Sequence, residues 1–399
     1  MSKGLFISLP AHGHINPTIG LVSELIKRGD EVVYITAEEF RDKFEKVGSK
    51  FIGYNFEGGS ASLNIKEIAK NASDSNNLIN VVKKVMEEFM IKYGIAGKKT
   101  IELALEQSEE FDYLVVDEIF PLDLNEVIEK LKIKKVISTI TMFALNDKLK
   151  SSMFTTFLPS IMKNENDICH GFDKLTSGKK KSNRKIDLNM VFTSEYFQPY
   201  SEEFDSSFKF VGPSIFNRNE LTDFKIDKSS NKKLLLISLG TMANENLDFY
   251  KNCFEALGFR DDIDIIMCIG KRINRNDLRA IPKNFKLYDY IPQLEVLKQA
   301  DLFITHGGMN STNEALYNNL PLIIVPQFGD QATVAKRVQE LGAGIALIGT
   351  ENYTCNCIRN AVDELLSNES YKINAEKIGK SLRDAGGYEK AAEIIKNIL

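Results

Sequence analysis

The sequence predicts an α/β protein of two doubly wound, Rossmann-like parallel-sheet domains. Three observations predict it. Continuous apolar runs of strand length alternate with helical stripes, the pattern of strands covered on both faces. The order strand, turn, helix, strand opens the chain and is used again after residue 233. The 399 residues fit two or three domains at roughly 100–200 residues each, and each half is large enough to bury its own core.

The elements follow in order. "GLFISLP" is the first strand and "AHGHINP" a polar turn. "TIGLVSELIKRGD" has apolar residues at Ile19, Leu21, Val22, Leu25 and Ile26, one helical face. Asn16 is expected at its N-cap, Pro17 at the first helical position and Gly29 at its end. "EVVYIT", "YLVVD" and "KVISTI" supply further strands. Residues 55–107 and 146–185 are mixed in composition and are placed as helices and loops on the first domain. The polar, aperiodic stretch 213–233 reads as a linker after a first domain of residues 1–212. In residues 234–384, "KLLLISLG", "DIDIIMCIG", "DLFITH" and "PLIIVP" are strands and "LDFYKNCFEALG" is a helix. Residues 385–399 form a short amphipathic helix. Ligands of open α/β sheets bind at the strands' carboxyl ends, which are expected to face a cleft between the domains.

Composition narrows the partners. A formal charge of −4 with dispersed Lys and Arg offers no basic stripe for nucleic acid. The densest basic run, "GKKKSNRK" at 178–185, reads as a solvated loop. No segment reaches the roughly 18 apolar residues of a membrane helix, and the first apolar run is too short for an export signal. Five scattered cysteines fit reduced thiols and a cytoplasmic protein. Cys355-Asn-Cys357 lacks a second pair for zinc.

The most informative stretch is "FITHGGMNSTNEALYNNLPLIIVPQFGDQ", Phe303 to Gln331. A strand ends at His306, Gly307-Gly308 turns, and a helix begins near Asn310 and Ser311. A helix start offers outward N–H groups and positive potential, a match for phosphate. Glu314, one turn on, suits a ribose diol. Asp330 and Gln331 follow the next strand and suit sugar hydroxyls, although Asp330 also reads as a helix N-cap. Tyr290 and Gln293, just upstream, suit a base by stacking and amide bonding. A capped helix with a glycine turn and no ligand is the plain alternative. The convergence of six polar residues on one sheet end favours a nucleotide-sugar site.

The run "YIPQLEVLKQADLFITHGGMNSTNEALYNNLPLIIVPQFGDQ" resembles the donor signature of UDP-sugar-dependent glycosyltransferases of the macrolide and flavonoid natural-product family. The resemblance extends over the whole chain, through "PAHGHINPTIGLVSELIKRGDEV" and "SLGTM". It implies the GT-B fold and inverting, metal-independent transfer of a hexose, glucose foremost, with no cofactor beyond the UDP-sugar co-substrate. It implies that Tyr290 stacks on uracil, that Gln293 bonds it, and that Glu314 holds the ribose. His306, Gly308, Asn310 and Ser311 would hold the diphosphate, with Thr241 nearby, and Asp330 and Gln331 the hexose. The plant-type pattern has Trp where this chain has Tyr290 and Met309, which leaves UDP and dTDP both open as donors. The terminal helix of the family packs back on the first domain.

The resemblance also places a catalytic base at His14 of "GHINP" and an orienting carboxylate at Asp117, the end of "YLVVD". Transfer to a hydroxyl needs such a base, and a helix N-terminus keeps an imidazole neutral. His12 is a turn residue or an acceptor contact. His12, His14, His170 and His306 give no metal-ligand spacing, and Asp262-Ile-Asp264 reads as surface acid before a strand. The apolar residues of 142–162 suit a small hydrophobic, hydroxylated acceptor such as a flavonoid, phenol or macrolide, or else ordinary core. A UDP-sugar epimerase, a lipid-linked transferase and a non-catalytic nucleotide-sugar binding module are the rival readings.

Overall fold

The computed structural model of the protein describes residues 1–56, 78–151, 186–216, 224–226, 231–241, 244–278, 280–327, 330–349 and 352–399. The basic run at 178–185, Cys169, His170 and residues 152–162 of the candidate acceptor segment lie outside them. The chain divides into two compact units. The first holds Met1–Phe192, Tyr200–Phe216 and Gly386–Leu399; the second holds Thr193–Pro199 and Asn217–Ala385. The expected first domain runs unbroken to residue 212, but Thr193–Pro199 falls with the second unit. Its hydrogen bonds go to helices there.

The first unit contains β1 (Lys3–Ile7), α1 (His12–Lys27), β2 (Glu31–Ala37), α2 (Arg41–Glu45), β3 (Lys50–Tyr54), α3 (Leu78–Leu105), β4 (Tyr113–Asp117), α4 (Asn125–Lys130), β5 (Lys135–Ile140), β6 (Leu188–Val191) and β7 (Phe208–Phe210). Its strands lie in the order β3-β2-β1-β4-β5-β6-β7, and every pairing is parallel. The apolar runs are continuous because both faces are buried. Phe6, Tyr34 and Val115 pack with Ile19 and Val22 of α1 on one face. Leu5, Ile7, Val33, Ile35, Leu114 and Val116 pack on the other.

Helix α1 starts earlier than expected. Its N-cap is Ala11, which makes no side-chain cap bond. The Ala11 carbonyl instead accepts the N–H groups of both His14 and Ile15 at 2.9 Å. Asn16 and Pro17 therefore lie inside the helix. Pro17 forgoes the bond to the Gly13 carbonyl, four residues back. Gly29 does end the helix, one residue past the C-cap Arg28, with φ +91°. The early start puts His14 in the first turn.

The second unit contains β8 (Lys233–Ser238), α5 (Leu247–Leu257), β9 (Ile263–Cys268), β10 (Phe285–Tyr288), α6 (Gln293–Leu297), β11 (Leu302–Thr305), α7 (Met309–Tyr317), β12 (Leu322–Ile324), α8 (Gln331–Glu340), β13 (Gly344–Ala346), α9 (Cys355–Ser367) and α10 (Ser370–Asp384). The strand order is β10-β9-β8-β11-β12-β13, again all parallel. Chain direction across each sheet reverses once, between β1 and β4 and between β8 and β11. These are the positions where open α/β sheets bind ligands.

The last helix, α11 (Gly387–Ile398), belongs to the first unit. Ala391, Ala392 and Ile395 pack into the α1 core. Lys396 is bonded to Asp30, whose side chain is fully buried and also accepts the Tyr113 hydroxyl at 3.0 Å. Among the described residues, no helix is long and apolar enough to cross a membrane.

Candidate active site

Two sets of polar groups sit at the two reversal points. In the first unit, His14 is the third residue of α1, Asp117 ends β4 and Thr141 directly follows β5. Strands β1, β4 and β5 are neighbours, so the three side chains converge. His14 Nδ1 lies 2.6 Å from Asp117 Oδ2 and 3.0 Å from Thr141 Oγ1. Asp117 is buried, and its other oxygen accepts the Ile119 N–H at 3.1 Å. An acceptor on Nδ1 holds the proton there, which leaves Nε2 as a lone pair able to take a proton. Thr141 was not among the candidates, because a threonine after an apolar strand carries no local signal.

His12, two residues before His14, lies beside an aromatic ring: its imidazole meets Phe40 edge-on at 5.1 Å. Among the described residues, no group of three His, Cys, Asp or Glu side chains is placed to hold a metal ion. Asp262 is gripped by Arg260 through both carboxylate oxygens at 2.6 Å. It lies at the start of β9, the sheet end away from the candidate site.

In the second unit, His306 follows β11 and stands between two glycines. A Cβ on Gly240 would lie 2.7 Å from the ring, and one on Gly308 would lie 2.4 Å from it. Gly240 (φ +77°) and Gly307 (φ +86°) also adopt backbone that favours glycine. The missing side chain of Gly308 makes room for the His306 ring. Loss of water around the ring pushes the His306 pKa down to about 4, against a smaller upward pull from the Ser238 carbonyl. The imidazole is therefore neutral at physiological pH.

Helix α7 begins at Met309 on an N-cap Gly308 that offers no side-chain cap, and its first internal bond runs from Thr312 N–H to the Gly308 carbonyl at 3.0 Å. Asn310 and Ser311 are therefore in its first turn. Gln293, at the start of α6, donates its amide to Glu314 Oε2 at 2.7 Å and to Ser311 Oγ at 3.1 Å. This joins the expected base, ribose and phosphate contacts into one cluster. Glu314 is buried, and Tyr290 is 46% exposed. Thr241 is exposed just past β8. Asp330 occupies the N-cap position of α8 without a side-chain cap bond. Gln331 is buried and accepts the Gln327 N–H at 2.8 Å through its Oε1.

The chain is similar to known proteins along most of its length. Residues 254–398 match the family described as Erythromycin biosynthesis protein CIII-like, C-terminal domain. NDP-glycosyltransferase YjiC of Bacillus licheniformis is 35% identical over 98% of this chain and 96% of its own. The uncharacterized UDP-glucosyltransferase YojK of Bacillus subtilis is 33% identical over 99% of this chain and 97% of its own. The crystal structure of CalG4, the calicheamicin glycosyltransferase, superimposes with a TM-score of 0.76 at 25% identity, covering 100% of this chain and 98% of that one.

Proposed function

The chain belongs to the natural-product UDP-glycosyltransferases of GT-B fold, and on that premise we propose that it transfers glucose from UDP-glucose to a hydroxyl of a small hydrophobic acceptor, with inversion and without a metal ion. The His14–Asp117 pair carries the reading. A histidine in a helix's first turn, bonded through Nδ1 to a buried carboxylate at 2.6 Å, is built as a base. His14 Nε2 takes the proton of the acceptor hydroxyl, and the oxygen forms a bond to the sugar's anomeric carbon. The bond from that carbon to the diphosphate oxygen breaks with its electron pair leaving on UDP. The transition state has oxocarbenium character, and Asp117 steadies the imidazolium that forms.

In this reading the second unit holds the donor. Tyr290 stacks on the uracil and Gln293 bonds it. Glu314 takes the ribose, and Asp330 and Gln331 the hexose. Asn310 and Ser311, with His306, Gly308 and Thr241 beside them, stabilise the charge that develops on the diphosphate. In this reading the acceptor domain is 1–212 apart from Thr193–Pro199, followed by a linker at 213–233, a donor domain at 234–384 and a terminal segment at 385–399.

The test is to incubate the protein with UDP-glucose, EDTA and a panel of phenolic and macrolide acceptors. A hexose adduct that survives EDTA, is lost in His14→Ala and shows the inverted anomer by NMR supports the reading. Sugar interconversion without acceptor would replace it with an epimerase. Faster turnover with dTDP-glucose would move the donor assignment.

A further inference from the structure

The segment Thr193–Pro199 lies in sequence between β6 and β7 of the first unit, yet its contacts are to helices of the second. Thr193 and Asn313 are both fully buried, and Thr193 Oγ1 donates to Asn313 Oδ1 at 3.0 Å. Asn313 is the α7 residue next to Glu314. Ser194 Oγ meets Ser381 Oγ of α10 at 2.8 Å and accepts the Phe197 N–H at 3.2 Å. Arg337 of α8 donates to the carbonyls of Phe197 and Tyr196, both at 3.0 Å. The Phe197 ring is fully buried. One short strap is therefore bonded to α7, α8 and α10.

Helices α7 and α8 are the two whose first turns carry Asn310, Ser311, Glu314, Asp330 and Gln331. We propose that Thr193 and Arg337 are positioning residues of the donor site: the 193–199 strap holds α7 in register with α8, so that the groups for diphosphate and ribose stand at a fixed distance from those for the hexose. This rests on the reading of the second unit as the donor site. The physical basis is directional. Packing alone allows α7 to slide or rotate slightly, whereas a dry Thr–Asn hydrogen bond admits one arrangement. The guanidinium fork adds a second fixed point on α8. A displacement near 1 Å at such a site is costly for a ligand held by many polar contacts.

The test compares Thr193→Val, which keeps the volume but removes the donor, with Thr193→Ser, which keeps the hydroxyl. UDP-glucose binding is measured by calorimetry, and the two KM values and kcat by initial rates. We expect Thr193→Val to weaken UDP-glucose binding and raise its KM about tenfold. The acceptor KM should stay within about twofold, and Thr193→Ser should bring the donor KM back close to wild type. Arg337→Gln removes the strap's contact with α8 from a partly exposed side chain, and the same donor-specific loss is expected should Thr193→Val fail to fold. Unchanged UDP-glucose affinity in both Thr193→Val and Arg337→Gln would overturn the proposal. So would equal losses in donor and acceptor KM that Thr193→Ser does not rescue. If the wild-type protein bound neither UDP-glucose nor dTDP-glucose, the donor reading itself would fall.

Discussion

Replacing Asp117 by Asn should harm turnover more than replacing it by Ala, against the usual order of conservative substitutions. The reason lies in where the carboxylate's two oxygens go. Oδ1 accepts the Ile119 N–H at 3.1 Å, and Oδ2 faces His14 Nδ1 at 2.6 Å. In Asp117→Asn the amide carbonyl stays on the Ile119 N–H, which turns the amide N–H₂ toward Nδ1. The imidazole then moves its proton to Nε2 and loses the lone pair that the proposed mechanism uses as base. A His–Asp pair inverted in this way loses about 10³–10⁴ in kcat, about 4–5 kcal/mol of transition-state stabilisation. In Asp117→Ala no donor is introduced, and Thr141 Oγ1, already 3.0 Å from Nδ1, accepts the proton instead. Only the charge stabilisation is lost, about 10²-fold. The assay is initial rate at saturating UDP-glucose with acceptor varied, with donor KM as a control that should not move. Adding Thr141→Val to Asp117→Ala should bring the activity down toward that of Asp117→Asn. An Asn variant within tenfold of wild type, or equal to Ala, would refute the tautomer argument.

Other predictions follow from the same geometry. Lys396→Met leaves the buried Asp30 carboxylate without its cation; because Lys396 is itself partly solvated, the expected loss is about 2–3 kcal/mol, read by denaturant unfolding. The double variant with Asp30→Asn should recover part of it. His306 has a folded pKa of about 4 against an ordinary 6.5, so between those values the unfolded chain binds a proton that the folded chain refuses. Stability conferred by the neutral ring is present above pH 6.5 and is lost as pH falls toward 4, by about 2–3 kcal/mol. His306→Gln should flatten that part of the stability–pH curve. Gly308 has an ordinary φ of −62°, so Gly308→Ala is strained only by the His306 ring, 2.4 Å from the new Cβ. It should cost about 1–3 kcal/mol of stability and weaken UDP-glucose binding through the displaced ring, measured by melting and calorimetry.

How much of this was legible in the sequence depends on how local the cause is. The runs "GLFIS", "YLVVD", "KLLLIS" and "DLFIT" became β1, β4, β8 and β11 because an apolar run of that length between turn residues has few other uses. The polar residues from Tyr290 to Gln331 were marked by residue types at strand ends, which a doubly wound fold brings to the carboxyl edge of its sheet, whereas the pairing of His14 with Asp117 was an expectation from the family resemblance. The start of α1 was not legible. Asn16-Pro17 has the form of an N-cap and first helical residue, yet Ile15 is fully buried in the core and Thr18 bonds the Tyr34 hydroxyl at 2.9 Å. Tertiary packing extended the helix back over His12 and His14 at the cost of one backbone bond.

Sequence by itself determined the alternation of strands and helices and the chemical types gathered at the strand ends, since both follow from periodicities of a few residues. Only the tertiary structure decided which of those groups touch. Strand order brought Thr141 to a histidine 127 residues away and joined Gln293 to Glu314. It also seated Thr193 against Asn313, 120 residues on. Two facing glycines fixed the place of His306, and loss of water around its ring holds its pKa low. Hydrogen bonds across such separations depend on which elements pack side by side, and no period within a single element encodes that.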